Sequence, residues 1–211
     1  MIQIKICGLT NEKEAGYLNE AGADYAGFVF YEKSRRNISL QKAVRIAGEL
    51  KKEIKRVAVC VSPAIEQVYK LAESGFDIIQ IHGELSGEVL ENAKKPIWRA
   101  VNIAAPEDIG QLPDKKKGEK ITGCVIDGAV YGGGKTFDWK AVTEDAGEDE
   151  IRRKISCRQL ILAGGLNVQN VGDGIRLFHP DVVDVSTGVE GNAGKDRQKI
   201  IEFVREVRRN G

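Results

Sequence analysis

This chain is poor in the residues that usually bind metals or cross-link small domains. It has two histidines, His82 and His179, and four cysteines, Cys7, Cys60, Cys124 and Cys157. No two cysteines form a Cys-x-x-Cys pair, which argues against a zinc site and against a disulfide scaffold. Charge of one sign is also missing: 32 basic residues stand against 31 acidic ones. No global field draws the protein to nucleic acid or to an anionic membrane, so an anionic ligand needs a local site. No apolar run approaches the ~18 residues of a membrane span. The opening Met1–Cys7 alternates like a strand and lacks the apolar block of a secretion signal. The expected setting is therefore the cytoplasm, with reduced thiols.

What the chain does have is a repeating alternation. Apolar runs rich in β-branched residues occur at Ile2–Cys7, Tyr25–Phe30, Arg56–Val61, Phe76–Ile81, Ile97–Val101, Ile121–Asp127, Gln159–Ala163 and Val182–Val185. Amphipathic helical stretches follow them. Asn11 with Glu14 caps the first, and Ser39 caps the second, where Ala43, Val44, Ala47 and Leu50 recur at helical spacing. Ser62-Pro63 opens the third, with proline at the first helical position. Weaker helical patterns cover Glu88–Ala93, Ala105–Leu112 and the charged stretch Thr143–Ile155. The last helix carries Ile200, Phe203, Val204 and Val207.

Strands alternating with helices imply a parallel sheet with crossover connections. A long open doubly wound sheet and a closed (β/α)8 barrel can both hold eight units. The strands are apolar on both faces, closure leaves no edge, and 211 residues fit a compact barrel. The expectation is an α/β fold, a single (β/α)8 domain over residues 1–211.

In such barrels the chemistry lies at the C-terminal ends of the strands. Cys7 ends the first strand and could act as a base or nucleophile if neighbours lower its pKa. Asp127 ends the sixth, where burial would raise its pKa and let it donate a proton near neutrality. Arg36, beside Arg35, follows the second strand and offers a fork for a carboxylate. His82 ends the fourth strand and Asp184 lies in the eighth. Gly164-Gly165 and Ser186-Thr187-Gly188 follow the seventh and eighth strands, where such barrels commonly bind phosphate. Cys60, Cys124 and Cys157 read as packing residues, and His179 as structural. Gly132-Gly133-Gly134-Lys135-Thr136 suggests a Walker loop, but the required earlier glycine is Ala129, and a flexible active-site loop fits better.

Six motifs in register make the resemblance specific. They are Lys5-Ile6-Cys7-Gly8-Leu9-Thr10, Gly27-Phe28-Val29-Phe30 with Lys33-Ser34-Arg35-Arg36, and Gln80-Ile81-His82-Gly83. Gly134-Lys135-Thr136-Phe137-Asp138-Trp139, Leu162-Ala163-Gly164-Gly165-Leu166 and Asp184–Glu190 complete the set. Over essentially the whole chain they resemble the phosphoribosylanthranilate isomerases of tryptophan biosynthesis. The resemblance implies a metal-free, cofactor-free Amadori rearrangement of a small phosphorylated substrate. It implies Cys7 as general base, Asp127 as general acid and Arg36 on the anthranilate carboxylate. His82 and Asp184 would line the pocket, and the glycine and Ser-Thr-Gly turns would hold phosphate. Two departures are visible. Ser34-Arg35-Arg36 replaces the usual Ser-Pro-Arg, and the Gly132–Lys135 loop is one residue shorter; neither touches the acid or the base. Three rivals fit less well. A histidine-pathway sugar isomerase would carry an aspartate where Cys7 stands. A metal-dependent epimerase would need more histidines. A non-catalytic metabolite sensor would have no use for both Cys7 and Asp127. Oligomeric state and association with neighbouring pathway enzymes are not encoded in these features.

Overall fold

A computed structural model describes residues 1–103, 108, 120–128, 139 and 157–211. The expected helix at Ala105–Leu112 (apart from residue 108), the Gly132–Lys135 loop and Thr143–Ile155 lie outside the described residues. Eight parallel strands close into a barrel in sequence order. They are β1 (Gln3–Cys7), β2 (Tyr25–Phe30), β3 (Lys55–Val61), β4 (Ile78–His82), β5 (Ile97–Ile103), β6 (Ile121–Gly128), β7 (Gln159–Leu162) and β8 (Val182–Val185). Strand β1 closes the ring by pairing with β8, setting Lys5 opposite Asp184 and Ile6 opposite Val185. The described helices are α1 (Glu12–Ala21), α2 (Leu40–Gly48), α3 (Ile65–Glu73), α4 (Gly87–Asn92), α5 (Val171–Phe178) and α6 (Arg197–Asn210). A short hairpin, β9 (Glu190–Gly191) and β10 (Gly194–Lys195), follows β8. No helix among the described residues is long and apolar enough to cross a membrane.

Strand alternation sorts the core into two layers. Ile4 and Ile6 of β1, Phe28 of β2 and Leu160 and Leu162 of β7 pack outward beneath the helices. Tyr25, Val57, Ile78, Trp98, Val125, Ile161 and Val182 fill the barrel interior. Tyr25 and Trp98 stack at a tilt with centroids 5.0 Å apart. Gly123 makes this possible, because a Cβ there would lie 2.5 Å from Trp98 Cδ1 and 2.7 Å from Ile161 Cδ1. The phase that fills this plug also aims Cys7, Asp127 and Asp184 inward, two residues further along their strands than Lys5, Val125 and Val182.

Local signals account for most helix ends. The Glu14 carboxylate accepts from the Asn11 N–H at 3.2 Å, and Ser39 Oγ accepts from the Lys42 N–H at 3.3 Å. Ser86 and Asp196 cap α4 and α6 in the same way. Ile200, Phe203, Val204 and Val207 of α6 are buried as expected.

Three expectations are corrected. Helix α3 starts at Ile65 rather than at Pro63. Ser62 is engaged elsewhere: its N–H donates to the His82 carbonyl at 2.9 Å and its Oγ accepts from the Glu84 N–H at 2.8 Å. On α2 the inward pair is Ala43 and Ile46, while Val44 is 43% exposed and Leu50 lies beyond the helix end. Finally, Cys124 and Cys157 are joined in a disulfide, leaving Cys7 and Cys60 as the free thiols. Cys124 faces the outer layer, and the β6–β7 register brings it beside the segment that enters β7, a proximity that a sequence separation of 33 conceals.

Candidate active site

The C-terminal mouth of the barrel holds a cavity of about 370 Å³. Cys7, Arg36, His82, Asp127, Gly164, Gly165, Asp184, Ser186 and Thr187 all line it, so nine of the sequence-predicted residues converge. Gly188 is the exception. A Cβ on it would collide with the Leu166 carbonyl oxygen, so its place is in packing the β8 turn against the β7 turn. Gly164 has φ 80° and Gly165 φ 71°, left-handed values that favour glycine, and a Cβ on Gly164 would strike the Gly128 backbone.

Cys7 is held by its backbone and by the space around it. Gly8 and Leu9 N–H groups both donate to the Gly27 carbonyl, at 2.9 and 3.1 Å. Ser186 Oγ donates to the Cys7 carbonyl at 2.8 Å. Gly27 gives the sulfur room, since a Cβ there would lie 2.7 Å from Sγ. Burial pushes the Cys7 thiol above its ordinary pKa; Lys5 pulls it down, Asp184 pushes it up and Lys195 pulls it down. Lys5 and Lys195 do pull the thiol down, as a role as base would need, but desolvation outweighs these nearby cations.

Across the cavity, Asp127 accepts the Gly128 N–H at 2.8 Å. Burial, and next the Asp184 charge, raise its pKa to about 6, while that hydrogen bond and Lys5 oppose the rise. The expected direction holds, and the carboxyl group titrates close to neutrality. Burial drives His82 down to about 3, with Lys5 and Arg99 adding to the effect, so the imidazole is neutral. Gln80 Nε2 lies 2.9 Å from His82 Nε2.

Arg36 is more constrained than expected. Its Nε donates to Glu190 Oε1 at 2.6 Å, and Nη2 donates to Glu190 Oε2 at 3.1 Å and Thr187 Oγ1 at 2.8 Å. The bidentate carboxylate partner of this fork is therefore Glu190 of the protein itself. Glu190 also accepts from Arg35 at 2.5 Å and from Lys195 Nζ at 2.9 Å. Partial burial alone would raise the Glu190 pKa, but Arg36 and Lys195 outweigh it and hold the carboxyl down at about 2.

Sequence reasoning missed four groups here. Lys5 is fully buried and donates to Asp184 Oδ2 at 2.6 Å. Lys195 donates to both oxygens of Ser186 at 3.1 Å. Glu190 ties the arginines down, and Gln80 lies buried in the pocket lining. The inward phase of Lys5, two residues before Cys7, was the one available signal. Two pocket acceptors, Asp184 Oδ1 and Gln80 Oε1, are buried without a protein partner among the described residues.

Residues 4–206 match the family profile described as PRAI, N-(5'-phosphoribosyl)anthranilate (PRA) isomerase. The chain belongs to the N-(5'-phosphoribosyl)anthranilate isomerase family. A relative of that name from Thermoanaerobacter sp. (strain X514) is 38% identical, over 99% of this chain and 98% of its own. Another, from Thermotoga neapolitana, is 37% identical over 99% of both chains. The solved phosphoribosyl anthranilate isomerase of Thermotoga maritima superposes with a TM-score of 0.84 at 32% identity, covering 99% of each chain. A further family structure, in complex with reduced 1-(o-carboxyphenylamino)-1-deoxyribulose 5-phosphate, has a TM-score of 0.81 at 32% identity over 99% of each chain. The chain is thus an isomerase of tryptophan biosynthesis built as a (β/α)8 barrel.

Proposed function

We infer that this chain converts N-(5-phosphoribosyl)anthranilate to 1-(o-carboxyphenylamino)-1-deoxyribulose 5-phosphate, with Asp127 as general acid and Cys7 as general base. One observation carries the reading: a thiol and a carboxyl group titrating near neutrality face one cavity, which turns after β7 and β8 also line. Asp127 gives its proton to the furanose ring oxygen as the C1–O bond breaks, leaving an iminium between C1 and the anthranilate nitrogen. The iminium acidifies C2, and the Cys7 thiolate removes the C2 proton. The resulting enolamine takes a proton at C1 as its C2 hydroxyl gives one up, and becomes the C2 ketone. Each transfer needs a positioned acid or base, typically contributing about 10²–10⁴-fold in rate.

The charged ends of the substrate fit the two sides of the mouth. The phosphate is held by the Gly164-Gly165 and Ser186-Thr187 turns, where backbone can approach closely. The anthranilate carboxylate meets Arg36 on the edge that Glu190 leaves open, and His82 lines the wall as a neutral ring. Asp184 Oδ1 and Gln80 Oε1 accept from the sugar hydroxyls, which explains two otherwise unpartnered buried acceptors. A phosphorylated substrate, which crosses membranes poorly, suits a cytoplasmic enzyme.

The test uses the fluorescence of the N-glycoside, generated from anthranilate and a phosphoribosyl donor. Turnover should persist in the presence of a chelator and nearly vanish in Cys7→Ala and in Asp127→Asn. Unchanged turnover in both variants would remove the proposed acid–base pair.

A further inference from the structure

Lys5 contributes nothing to the cavity lining, yet it is fully buried, and a buried ammonium is a costly group to place there. It shares the inward phase of β1 with Cys7, one pleat below it. Its Nζ donates to Asp184 Oδ2 at 2.6 Å, and Asp184 and Cys7 line the same cavity; the ammonium charge pulls the Cys7 thiol down against the effect of burial. Fixed charge of both signs surrounds the sulfur. Lys5 of β1, Arg36 before α2 and Lys195 of β10 supply three cations, all buried, and Asp184 of β8 and Glu190 of β9 supply two carboxylates. Arg36 and Lys195 share the single Glu190 carboxylate. Of the other ionisable groups lining the cavity, His82 of β4 is neutral, Asp127 of β6 titrates at about 6, Tyr31 is half-buried, and Lys33 and Arg35 are exposed. What singles out Lys5 among the three cations is its placement, one pleat below Cys7 on the inner face of β1 and locked on Asp184.

We propose that Lys5 is a positioning residue for the base, its buried ammonium holding the Cys7 thiolate in place while Asp184 fixes the ammonium. The idea rests on Cys7 being the base. Lys5 stays protonated: burial alone would lower its pKa, but Asp184 and Cys7 together outweigh burial. A fixed ammonium in a site closed to water stabilises an adjacent anion far more than a solvated one does. Lys5 therefore offsets part of the desolvation that raises the thiol, and Asp184 keeps the ammonium from turning away from the sulfur.

The test reads the thiol directly. In a Cys60→Ser background, alkylation of Cys7 by iodoacetamide is followed by intact mass across pH. Removing Lys5 alone would leave Asp184 as an uncompensated buried charge and could prevent folding. The decisive comparison is therefore Lys5→Met/Asp184→Asn against Asp184→Asn alone, two proteins that differ only at position 5. The alkylation midpoint should move up by about 1–3 pH units when Lys5 is lost. In steady-state assays Lys5→Met should lower kcat/KM at neutral pH by tenfold or more. That deficit should shrink as the pH climbs past the new thiol midpoint, which a purely structural defect would not do. An unchanged alkylation profile, or a larger shift from Lys195→Met, would overturn the proposal. Full activity in Cys7→Ala would instead overturn the assignment of the base while leaving the thiol–ammonium coupling measurable.

Discussion

The β1–β8 wall of the pocket is crowded with fixed charge, whereas the β6 wall is almost bare of it. Around Cys7 the ion pairs Lys5–Asp184, Arg36–Glu190 and Lys195–Glu190 stand at 2.6, 2.6 and 2.9 Å. Around Asp127 the one hydrogen bond among the described residues comes from the adjacent Gly128 N–H. The contrast shows two ways of tuning a titratable group. The thiol is balanced between burial and cations, so its reactivity depends on a network. The carboxyl group is governed mainly by burial, so it depends on the shape of the wall. Networks can be dismantled one charge at a time, while burial is lost only by opening the wall.

The largest effects should come from removing the two groups themselves. Cys7→Ala and Asp127→Asn should each lower kcat by about 10²–10⁴-fold in the fluorescence assay. Comparable circular dichroism spectra would show that the fold survives. Next comes Gly27→Ala, which places a methyl group 2.7 Å from the Cys7 sulfur. A displacement of about 1 Å at the reacting centre can cost about 10²-fold, so kcat should fall to that degree while Asp127 is undisturbed. The matching change beside Asp127 is Gly164→Ala, which would press on the Gly128 backbone.

Glu190→Gln should act more mildly, because it loosens Arg36 without removing it. A tenfold rise in KM, about 1.4 kcal/mol, is the expected scale. The same carboxyl group has a stability signature. Its folded pKa is held down at about 2, below the ordinary carboxylate value. It therefore stabilises the fold above that ordinary value, and the contribution disappears as pH falls toward about 2. Thermal midpoints measured at pH 7 and pH 3 should drop more steeply with acid in the parent than in Glu190→Gln. The smallest effect on catalysis belongs to the outward-facing disulfide. Cys124→Ala/Cys157→Ala should leave kcat unchanged within about twofold, at a cost of about 2–4 kcal/mol in stability.

Much of this site was readable because its signals are local. A strand period places Cys7, Asp127 and Asp184 on the inner face, and Asn11 with Glu14 or Ser39 marks a helix start within four residues. Strand ends of parallel barrels then say where to look. The rest depends on pairs that the sequence separates widely. Arg36 and Glu190 are 154 residues apart, and Lys5 and Asp184 are 179 apart. In isolation Lys5 and Lys195 look like two of many surface lysines, since lysine is rarely buried without a partner. The partner becomes visible only after the barrel closes. Ser62 misled for the same reason: beside Pro63 it resembles a helix cap, but a strand neighbour and Glu84 claim its backbone and hydroxyl first.

The most direct test of the acid–base pair is the pH dependence of kcat/KM. On the proposed assignment the active form has Asp127 protonated and Cys7 ionised, although the carboxyl group titrates at about 6 and the thiol above its ordinary value. That inverted order predicts a rise with pH that ends near about 6. A level region should follow, and a fall should set in only above the ordinary cysteine range. The rising limb then reports Asp127 and should disappear from the residual activity of Asp127→Asn. A parent profile with no limb near pH 6, or the same limb persisting in Asp127→Asn, would contradict the account.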